Sequence, residues 1–416
     1  MSVGKTDIWV YADWIGLSGP QLIGMLSVHQ AKGRKAFSFS YSMDWLKSNY
    51  AIQIDPDIEQ FSGHQFPIGK ENFGFVLDSM PDTWGRTLMK RRAGILSKEF
   101  DEKPKNLYDL DFLLGVFDES RMGALRFKLH EDGPFLDDNN DYPTPPWSSI
   151  RELQFAVNEV ESESSSKEIK KWLAIIMAPG SSLGGARPKA NILDMDGSLW
   201  IAKFPSKNDT IDKAKWEYLA YKLAISVGIE MSDSKIEKVS GKFHTFFTKR
   251  FDREGRQRIH FASAMTMTGN TEDILKNKDA SYLDIAEFIQ FSSYNPGVDL
   301  NQLWLRIIFS MAISNTDDHL RNHGFILTKN GWRLSPAFDI NPSVDKFGLA
   351  LNVDETNSEL DYNLAKGVGE YFQLSNTEMD RIIQNVKDKV SLWENVAKDI
   401  GISRSEREIM ASAFRI

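Results

Sequence analysis

The clearest periodic pattern in the chain is a run of apolar residues at helical spacing between positions 212 and 227. Its apolar members lie three or four positions apart and would form one face of a helix: Trp216, Leu219, Ala220, Leu223, Ala224 and Val227. Gly228 follows directly, and glycine commonly ends a helix because it tolerates a left-handed backbone. We therefore predict an amphipathic helix over 212–227.

A β-hairpin is predicted just before this helix. Two short apolar segments, 189–193 and 199–204, flank an Asp196-Gly197 dipeptide. This dipeptide favours a tight hairpin turn, since glycine takes the positive φ that the turn demands. Lys203 would then lie at the end of the second strand. A further strand is expected over 245–248, leading toward Phe251.

The chain beyond residue 263 has a mainly helical pattern. Trp304, Ile307, Ile308 and Met311 mark the apolar stripe of a helix that should end near Asn315. Only a second hairpin, over 325–334 with its turn at 329–331, interrupts this helical region. A strand-rich part therefore precedes a helical part, which indicates an α+β fold.

A stretch rich in Pro, Asp and Asn lies between residues 131 and 149. Such a composition can form neither a helix nor a central strand, so we interpret it as a boundary or a long surface connection. This stretch would end a first domain at about residue 148.

Composition narrows the possible functions. The 416 residues contain no Cys, which excludes disulfides, thiolate zinc sites and a Cys nucleophile. The formal net charge of -8 argues against an extended non-specific nucleic-acid surface. No apolar run approaches the roughly 18 residues of a membrane helix, and the start lacks the apolar core of a secretory signal. We predict a cytoplasmic protein without a membrane partner.

The densest polar cluster is NTDDHLRN at 315–322. Asp317 and Asn322 are five positions apart, the spacing between the base and the magnesium-binding Asn in the catalytic loop of protein kinases. Asp318 is only four positions from Asn322, so we favour Asp317 as the base. The second hairpin would return Asp339 to the same place, where Asn322 and Asp339 could hold magnesium.

Residues of this cluster could also have purely structural roles. Asp317 and Asp318 could simply cap a helix end or lie in a loop, although their combination with Asn322 and Asp339 favours a site. His319 could equally fix the turn through backbone hydrogen bonds or act in the site. Zinc is disfavoured because the candidate ligands are mostly oxygen donors.

A glycine-rich segment, GSSLGGARPK at 180–189, precedes the hairpin that bears Lys203. Consecutive glycines let backbone amides approach phosphate oxygens, and Arg187 and Lys189 add positive charge. Taken alone, the glycine-rich segment could be a plain turn, and Lys203 could be an ordinary surface lysine. The segment also contains the G-x-S-x-G pattern of serine hydrolases around Ser182, but Pro188 and a hairpin follow where that fold needs a helix.

With these motifs assembled, the chain resembles the HipA family of toxin kinases over nearly its whole length. The similar segments are SMPDTWGR at 79–86, RMGALRF at 121–127, GGARPK at 184–189, RFDR at 250–253, DDHLRN at 317–322 and FD at 338–339. The resemblance implies a two-lobed protein-kinase-like fold that uses ATP and Mg²⁺. Residues 1–148 would be an N-terminal extension, 149–255 the strand-rich lobe with the Gly-rich loop, and 256–416 the helical lobe with the catalytic loop.

The resemblance also implies roles for individual residues. Asp317 would be the catalytic base, and Asn322 and Asp339 the magnesium ligands. Ser182 would be autophosphorylated, which silences the enzyme, with Ser181 as the neighbouring alternative. The implied ATP-binding residues are Gly184, Gly185, Ala186, Arg187, Pro188, Lys189, Lys203, Lys249, Arg250, Phe251, His319, Asn322 and Asp339; backbone groups of Lys249 and Phe251 would meet the adenine.

The implied partners are a HipB-like helix-turn-helix antitoxin and operator DNA bound through that complex. The implied protein substrate is an aminoacyl-tRNA synthetase, with glutamyl-tRNA synthetase favoured. Two alternatives stay open from the sequence. One is a corepressor of the antitoxin with little catalysis, and the other is a serine hydrolase that uses Ser182.

Overall fold

The computed structural model describes residues 4–31, 34–103, 105–136, 144–162, 172–173, 176, 185, 187–271 and 280–416. The chain divides into two compact units. Unit 1 comprises Met1–Lys207 and Asp252–Ala262, and unit 2 comprises Asn208–Phe251 and Ser263–Ile416. The division into three domains stays a prediction.

Unit 1 begins with an antiparallel sheet of four strands in the order β3-β2-β1-β4. Alternate residues of β1 point into the core, and Ile8, Val10 and Ala12 are fully buried. The register pairs Ile8 with Leu26 of β2. The strands of this sheet are β1 (Gly4–Ala12), β2 (Gln21–Ala31), β3 (Arg34–Tyr41) and β4 (Leu125–Lys128).

Among the described residues of unit 1 most helices are short, and the two longer ones are α3 (Thr83–Glu99) and α5 (Ile150–Glu161). Asp82 caps the longest of them, α3, by accepting the backbone N–H of Gly85 at 2.7 Å. The helices are α1 (Met43–Lys47), α2 (Gly74–Asp78), α3 (Thr83–Glu99), α4 (Asp109–Leu114) and α5 (Ile150–Glu161). Single 3₁₀ turns lie at Asp118–Ser120 and Trp147–Ser149.

The predicted first hairpin is confirmed, with Gly197 at its turn (φ 81°). Lys203 is the last residue of its second strand. The remaining strands that begin in unit 1 are short. The last of them, β11 (His260–Ser263), ends at Ser263, which belongs to unit 2. They are β5 (Lys189–Leu193), β6 (Leu199–Lys203), β9 (Arg253–Glu254), β10 (Gln257–Arg258) and β11 (His260–Ser263).

A fully buried arginine joins several loops of unit 1. The guanidinium of Arg121 donates to the backbone carbonyls of Ser79 at 2.7 Å and Leu113 at 3.1 Å. It donates at 3.0 Å to the carbonyls of Val116 and Leu136 as well. Because unpaired carbonyls are costly inside a protein, this one side chain stabilises the segment around SMPDTWGR together with α4.

The second half of the RFDR motif has a structural role. Asp252 is fully buried and accepts the backbone N–H of Gly123 and the guanidinium of Arg253, both at 2.7 Å. Arg253 donates in turn to the carbonyl of Arg121. Gly123 has a φ of 71°, and a Cβ there would lie 3.0 Å from the backbone nitrogen of Phe261. The RFDR and RMGALRF segments therefore meet in one packed turn.

Unit 2 opens with the predicted helix, which is confirmed as α6 (Lys213–Val227). Asp212 caps its start, and Gly228 ends it with a φ of 96°. Two antiparallel strands follow, β7 (Ser234–Glu237) and β8 (Thr245–Lys249), so the predicted strand over 245–248 is also confirmed.

The described residues of unit 2 beyond 263 are mainly helical, around α9 (Pro296–Ala312). Its residues Trp304, Ile307, Ile308 and Met311 are fully buried as predicted. The helices are α7 (Ala264–Met267), α8 (Tyr282–Ser292), α9 (Pro296–Ala312), α10 (Tyr362–Gly367), α11 (Asn376–Val390), α12 (Trp393–Ile400) and α13 (Arg404–Met410). Single 3₁₀ turns lie at Leu320–Asn322, Gly369–Phe372 and Ala411–Ala413.

The second predicted hairpin is confirmed as β12 (Gly324–Thr328) and β13 (Gly331–Leu334). A strand-rich first part and a helical second part make the fold α+β, as the sequence predicts. Among the described residues, no helix is both long and apolar enough to cross a membrane.

We expect Arg121→Met to lower the free energy of unfolding by roughly 3–5 kcal/mol, because the change leaves buried carbonyls without a donor. Chemical denaturation followed by circular dichroism measures the loss. The matched control is Arg92→Met, at an exposed arginine of α3. Equal stability of the two variants would contradict the structural role of Arg121.

Candidate active site

The loop after α9 carries the residues predicted to do chemistry. Ser314 takes a left-handed backbone (φ 51°), and the chain turns back so that the N–H of Asn315 reaches the carbonyl of Ser310 at 2.8 Å. Further along, the N–H of His319 donates to the carbonyl of Asp317 at 3.0 Å. These hydrogen bonds give the loop a fixed backbone.

The two adjacent aspartates of this loop have opposite environments. The side chain of Asp317 is 75% exposed. Asp318 is buried and accepts the hydroxyls of Tyr282 at 2.7 Å and Ser310 at 3.2 Å. His323 Nε2 lies 2.9 Å from Asp318 Oδ1, an ion-pair distance, although the geometry is not that of an aligned hydrogen bond. Asp318 is thus an internal anchor, and Asp317 is the carboxylate that can meet a substrate.

Electrostatics agree with this division. Burial raises the pKa of Asp318, but the neighbouring His323 and the hydroxyls of Tyr282 and Ser310 outweigh burial and leave the pKa below its ordinary value. Burial and the Asp318 charge together raise the pKa of Tyr282 well above its ordinary value. Asp318 therefore stays ionised as a hydrogen-bond acceptor and is poorly suited to take a proton from a substrate.

Asn322 is held in place from within the loop. Its side-chain nitrogen donates to the backbone carbonyl of Asp317 at 2.9 Å, and its backbone N–H donates to the carbonyl of His319 at 2.8 Å. With the amide nitrogen engaged, the side-chain oxygen of Asn322 is the atom left to bind a cation.

His319 is half-buried, and its Nδ1 is buried without a hydrogen-bond partner among the residues that the structure describes. This observation leaves both interpretations of His319 open.

The second hairpin returns the chain to the loop that carries Asn322, as predicted. At its base, the N–H of Ser335 donates to the carbonyl of Gly324 at 2.9 Å. Gly324 lies just after Asn322, and Ser335 lies just before Asp339. The hairpin therefore brings the segment with Asp339 back to the end of the loop with Asn322.

Two hydrogen bonds tie the chain beyond Asp339 to the start of the loop. The N–H of Asn341 donates to the side-chain oxygen of Asn315 at 3.3 Å. The N–H of Ser343 donates to the carbonyl of Ser314 at 3.2 Å. Asp339 is thus held from both sides against one loop.

The backbone at Asp339 is strained, with a left-handed φ of 59° at a non-glycine residue. Such conformations cost about 1–3 kcal/mol and concentrate at functional sites. The ring of the preceding Phe338 packs against Phe251, with centroids 5.6 Å apart. This contact places the first half of RFDR beside the Phe338-Asp339 pair. Adenine contacts by Lys249 and Phe251 stay predictions. Arg250 is buried, and its nucleotide role stays a prediction as well.

The donors Asn322 and Asp339 fit magnesium. Both offer oxygen, and magnesium in phosphate-transfer sites commonly uses one or two protein carboxylates together with substrate phosphates and water. Within the described residues no group of three or more His, Cys, Asp or Glu side chains could hold a metal ion. A two-residue site completed by nucleotide phosphates needs no such group.

Part of the predicted phosphate loop lies outside the described residues, namely Ser181, Ser182, Gly184 and Ala186. In unit 1, Gly185 has a φ of 106°, and the carbonyl of Pro188 accepts the N–H of Phe204 at 2.9 Å. The predicted ATP contact at Arg187 stays a prediction.

The two lysines of the first hairpin lie opposite each other across its strands. Lys189 pairs with Lys203 in the register, and both are buried. Lys189 Nζ lies 2.9 Å from a carboxylate oxygen of Asp82, so its charge is balanced within unit 1. ATP contacts by Lys189 and Lys203 stay predictions.

Sequence reasoning missed the partners of the two aspartates. Tyr282, Ser310 and His323 come from α8, α9 and the end of the loop, and no spacing rule links them to Asp318. Lys346, whose Nζ lies 3.4 Å from Asp317 Oδ1, was also missed. A lysine in an exposed loop carries no signal in the sequence that would single it out.

Comparison with known proteins gives one family and several relatives. The model of the HipA-like C-terminal domain family matches residues 181–393, just over half of the chain. A Haemophilus influenzae protein named "Putative kinase" is 26% identical over 46% of this chain and 64% of its own length. "Putative kinase Y4mE" of Sinorhizobium fredii is 21% identical over 53% of this chain and 51% of its own. The chain thus spans less than two thirds of these curated relatives.

The solved complex of Shewanella oneidensis HipA, HipB and operator DNA contains a chain with the same fold. The match has a TM-score of 0.66 at 17% sequence identity, and it covers 98% of this chain and 94% of that one.

We expect Asp318→Asn to lower the free energy of unfolding by about 3 kcal/mol near neutral pH, because the donors around it lose a buried charged acceptor. The folded pKa of Asp318 is below its ordinary value of 3.8, so this stabilisation is present above that pH and is lost as pH falls through the folded pKa. Denaturant titrations from neutral to acidic pH test both points.

The matched control is the adjacent Asp317→Asn, which should change stability by less than about 0.5 kcal/mol because the side chain is exposed. A destabilisation by Asp318→Asn that did not shrink in acid would contradict the assignment.

Proposed function

Because the chain belongs to the HipA-like C-terminal domain family, we propose that it is an ATP- and magnesium-dependent protein kinase that phosphorylates Ser or Thr. The observation that carries this proposal is the division of roles in one loop. Asp317 is exposed, Asn322 is fixed with its side-chain oxygen left for a cation, and the strained Asp339 is tied to the same loop.

Each residue has a distinct task in this function. Asp317 would accept the proton of the attacking hydroxyl and orient that hydroxyl toward the terminal phosphate. Asn322 and Asp339 would hold magnesium, which neutralises charge on the phosphates when bound. Lys203 would contact the phosphates from β6. Phosphoryl transfer depends mainly on such positioning and charge stabilisation. These residues therefore supply the kinds of groups that the proposed reaction needs.

The biological role that we propose is that of a HipA-like toxin. The partner would be a HipB-like helix-turn-helix antitoxin, and operator DNA would be bound through that complex. The solved relative, a HipA with HipB and operator DNA, supports this choice. A corepressor role is compatible with catalysis and does not replace it.

The proposed protein substrate is an aminoacyl-tRNA synthetase in the cytoplasm, with glutamyl-tRNA synthetase favoured. This step rests on family resemblance, and the candidate site of unit 2 is the place where the acceptor hydroxyl would bind.

The serine-hydrolase alternative loses support. A nucleophilic serine of that class needs a helix directly after its turn. Strand β5 begins at Lys189, a few residues beyond Ser182 and immediately after Pro188, which leaves no room for such a helix.

We expect Asp317→Ala and Asp339→Ala to abolish phosphate transfer, since the first removes the hydroxyl-orienting carboxylate and the second a magnesium ligand. Intact mass after incubation with magnesium and ATP measures transfer to the chain itself. Asp399→Ala, at an exposed aspartate of α12, is the matched control and should behave like wild type. Retained activity in either site variant would refute the assignment.

We further expect a phosphate on Ser182 to lower ATP affinity at least tenfold, because its charge would repel the phosphates of the nucleotide. Calorimetric titration of the phosphorylated and unphosphorylated chains compares the two affinities. Ser182→Ala should prevent the mass gain of one phosphate, whereas Ser181→Ala should not. Identical ATP affinity of both forms would contradict the prediction.

A further inference from the structure

An exposed loop of unit 2 lies beside the catalytic aspartate. Its start is fixed where the N–H of Ser343 donates to the carbonyl of Ser314 at 3.2 Å, and its end where the N–H of Leu349 donates to the carbonyl of Ser358 at 2.8 Å. The residues between the anchors with exposed side chains are Val344, Asp345, Lys346 and Phe347. The loop therefore has fixed ends and an accessible tip.

Lys346 reaches from this tip to the proposed base. Its Nζ lies 3.4 Å from Asp317 Oδ1, and the two side chains are 59% and 75% exposed. Exposed ion pairs contribute at most about 1 kcal/mol to stability, because water competes with both charges. The contact thus adds little to the fold and can open easily, yet it places a positive charge at the point where the acceptor hydroxyl would bind.

On the basis of the proposed kinase function, we propose that Lys346 is a catalytic residue that stabilises the phosphoryl group during transfer. In that reaction the acceptor oxygen forms a bond to the terminal phosphorus of ATP. The bond from this phosphorus to the bridging oxygen breaks, and its electron pair leaves with ADP. The hydroxyl proton goes to Asp317.

The charge balance of this step explains why the lysine should lie here. When Asp317 takes the proton, its negative charge is lost and Lys346 loses its partner. At the same time, negative charge is spread over the oxygens of the transferring phosphoryl group. The ammonium of Lys346 is then attracted from Asp317 to those oxygens. Because this cation already lies beside Asp317 before the reaction, it does not have to be recruited from solvent when the charge develops.

The contact geometry also leaves the base available. Lys346 lies against one carboxylate oxygen of Asp317, Oδ1. Because the side chain of Asp317 is 75% exposed, its other oxygen can accept the hydroxyl proton. Lysine and acceptor can therefore share the carboxylate.

The test compares Lys346→Met, Lys346→Arg and Phe347→Ala in the full-length chain. Phe347 is the adjacent residue of the loop and is 88% exposed, so its variant controls for disturbance of the loop. We would measure phosphate incorporation into the chain by intact mass and ATP hydrolysis with water as acceptor, each over a range of ATP and salt concentrations. Dissociation constants for magnesium-ATP come from calorimetry.

We expect Lys346→Met to lower kcat about 10–100-fold. This loss is smaller than for a buried stabilising group, because water screens the charge of an exposed lysine. ATP affinity should change less than about threefold, since the contact forms in the transition state. Lys346→Arg should restore most of the rate, and Phe347→Ala should match wild type. The wild-type rate should fall with added salt more steeply than that of Lys346→Met.

Wild-type kcat in Lys346→Met, or a higher kcat that marks Lys346 as an inhibitory contact, would overturn this inference while leaving the kinase function intact. A rate lost equally in Lys346→Met and Phe347→Ala would show a loop defect and would also overturn it. A wild-type chain that neither binds nor turns over ATP would refute the proposed function, and the inference would fall with it.

Discussion

The candidate site depends on the burial of a single carboxylate. Asp318 lies inside unit 2, where hydroxyl groups from α8 and α9 donate to it and His323 lies beside it. A buried ionised carboxylate is stable only with such partners, so the loop can adopt essentially one arrangement around it. Neighbouring residues in this loop project in different directions. The inward position of Asp318 therefore places Asp317 at the surface.

A second constraint acts on the part of the candidate site that carries Asp339. The hydrogen bond at the base of the β12–β13 hairpin and the two bonds beyond Asp339 leave the intervening backbone little freedom. The left-handed backbone of Asp339 is unfavourable by itself, and these surrounding contacts hold it in place. The same loop is thus anchored from inside by Asp318 and held on its other side against the strained backbone of Asp339. Such rigidity would suit the proposed phosphoryl transfer, which depends mainly on positioning.

Much of the fold could be predicted from the sequence, because its strongest signals are local. The stripe of α6, the Asp-Gly turn of the first hairpin and the apolar residues of α9 each reflect a periodicity or a turn preference within a few residues. The spacing of Asp317, Asn322 and Asp339 could be interpreted in the same way, since a hairpin returns the chain to where it began. The hydroxyl partners of Asp318 could not be predicted, because Tyr282 and Ser310 belong to separate helices that meet it only through packing. The two compact units also have boundaries that no linker composition marks, since the segment from Asp252 to Ala262 belongs with residues far earlier in the chain.

The RFDR motif shows why motif matching and chemistry have to be separated. Its four residues divide between the two units: Phe251 packs against Phe338 beside the candidate site, whereas Asp252 and Arg253 bind the turn at Gly123. A motif match alone would treat all four residues as one nucleotide-binding feature. Their contacts instead give the second half a structural task, fixing a turn whose glycine admits no side chain. A loss of activity on changing Asp252 would therefore follow from loss of structure in unit 1, whereas an exposed residue such as Asp317 can be changed with little effect on the core.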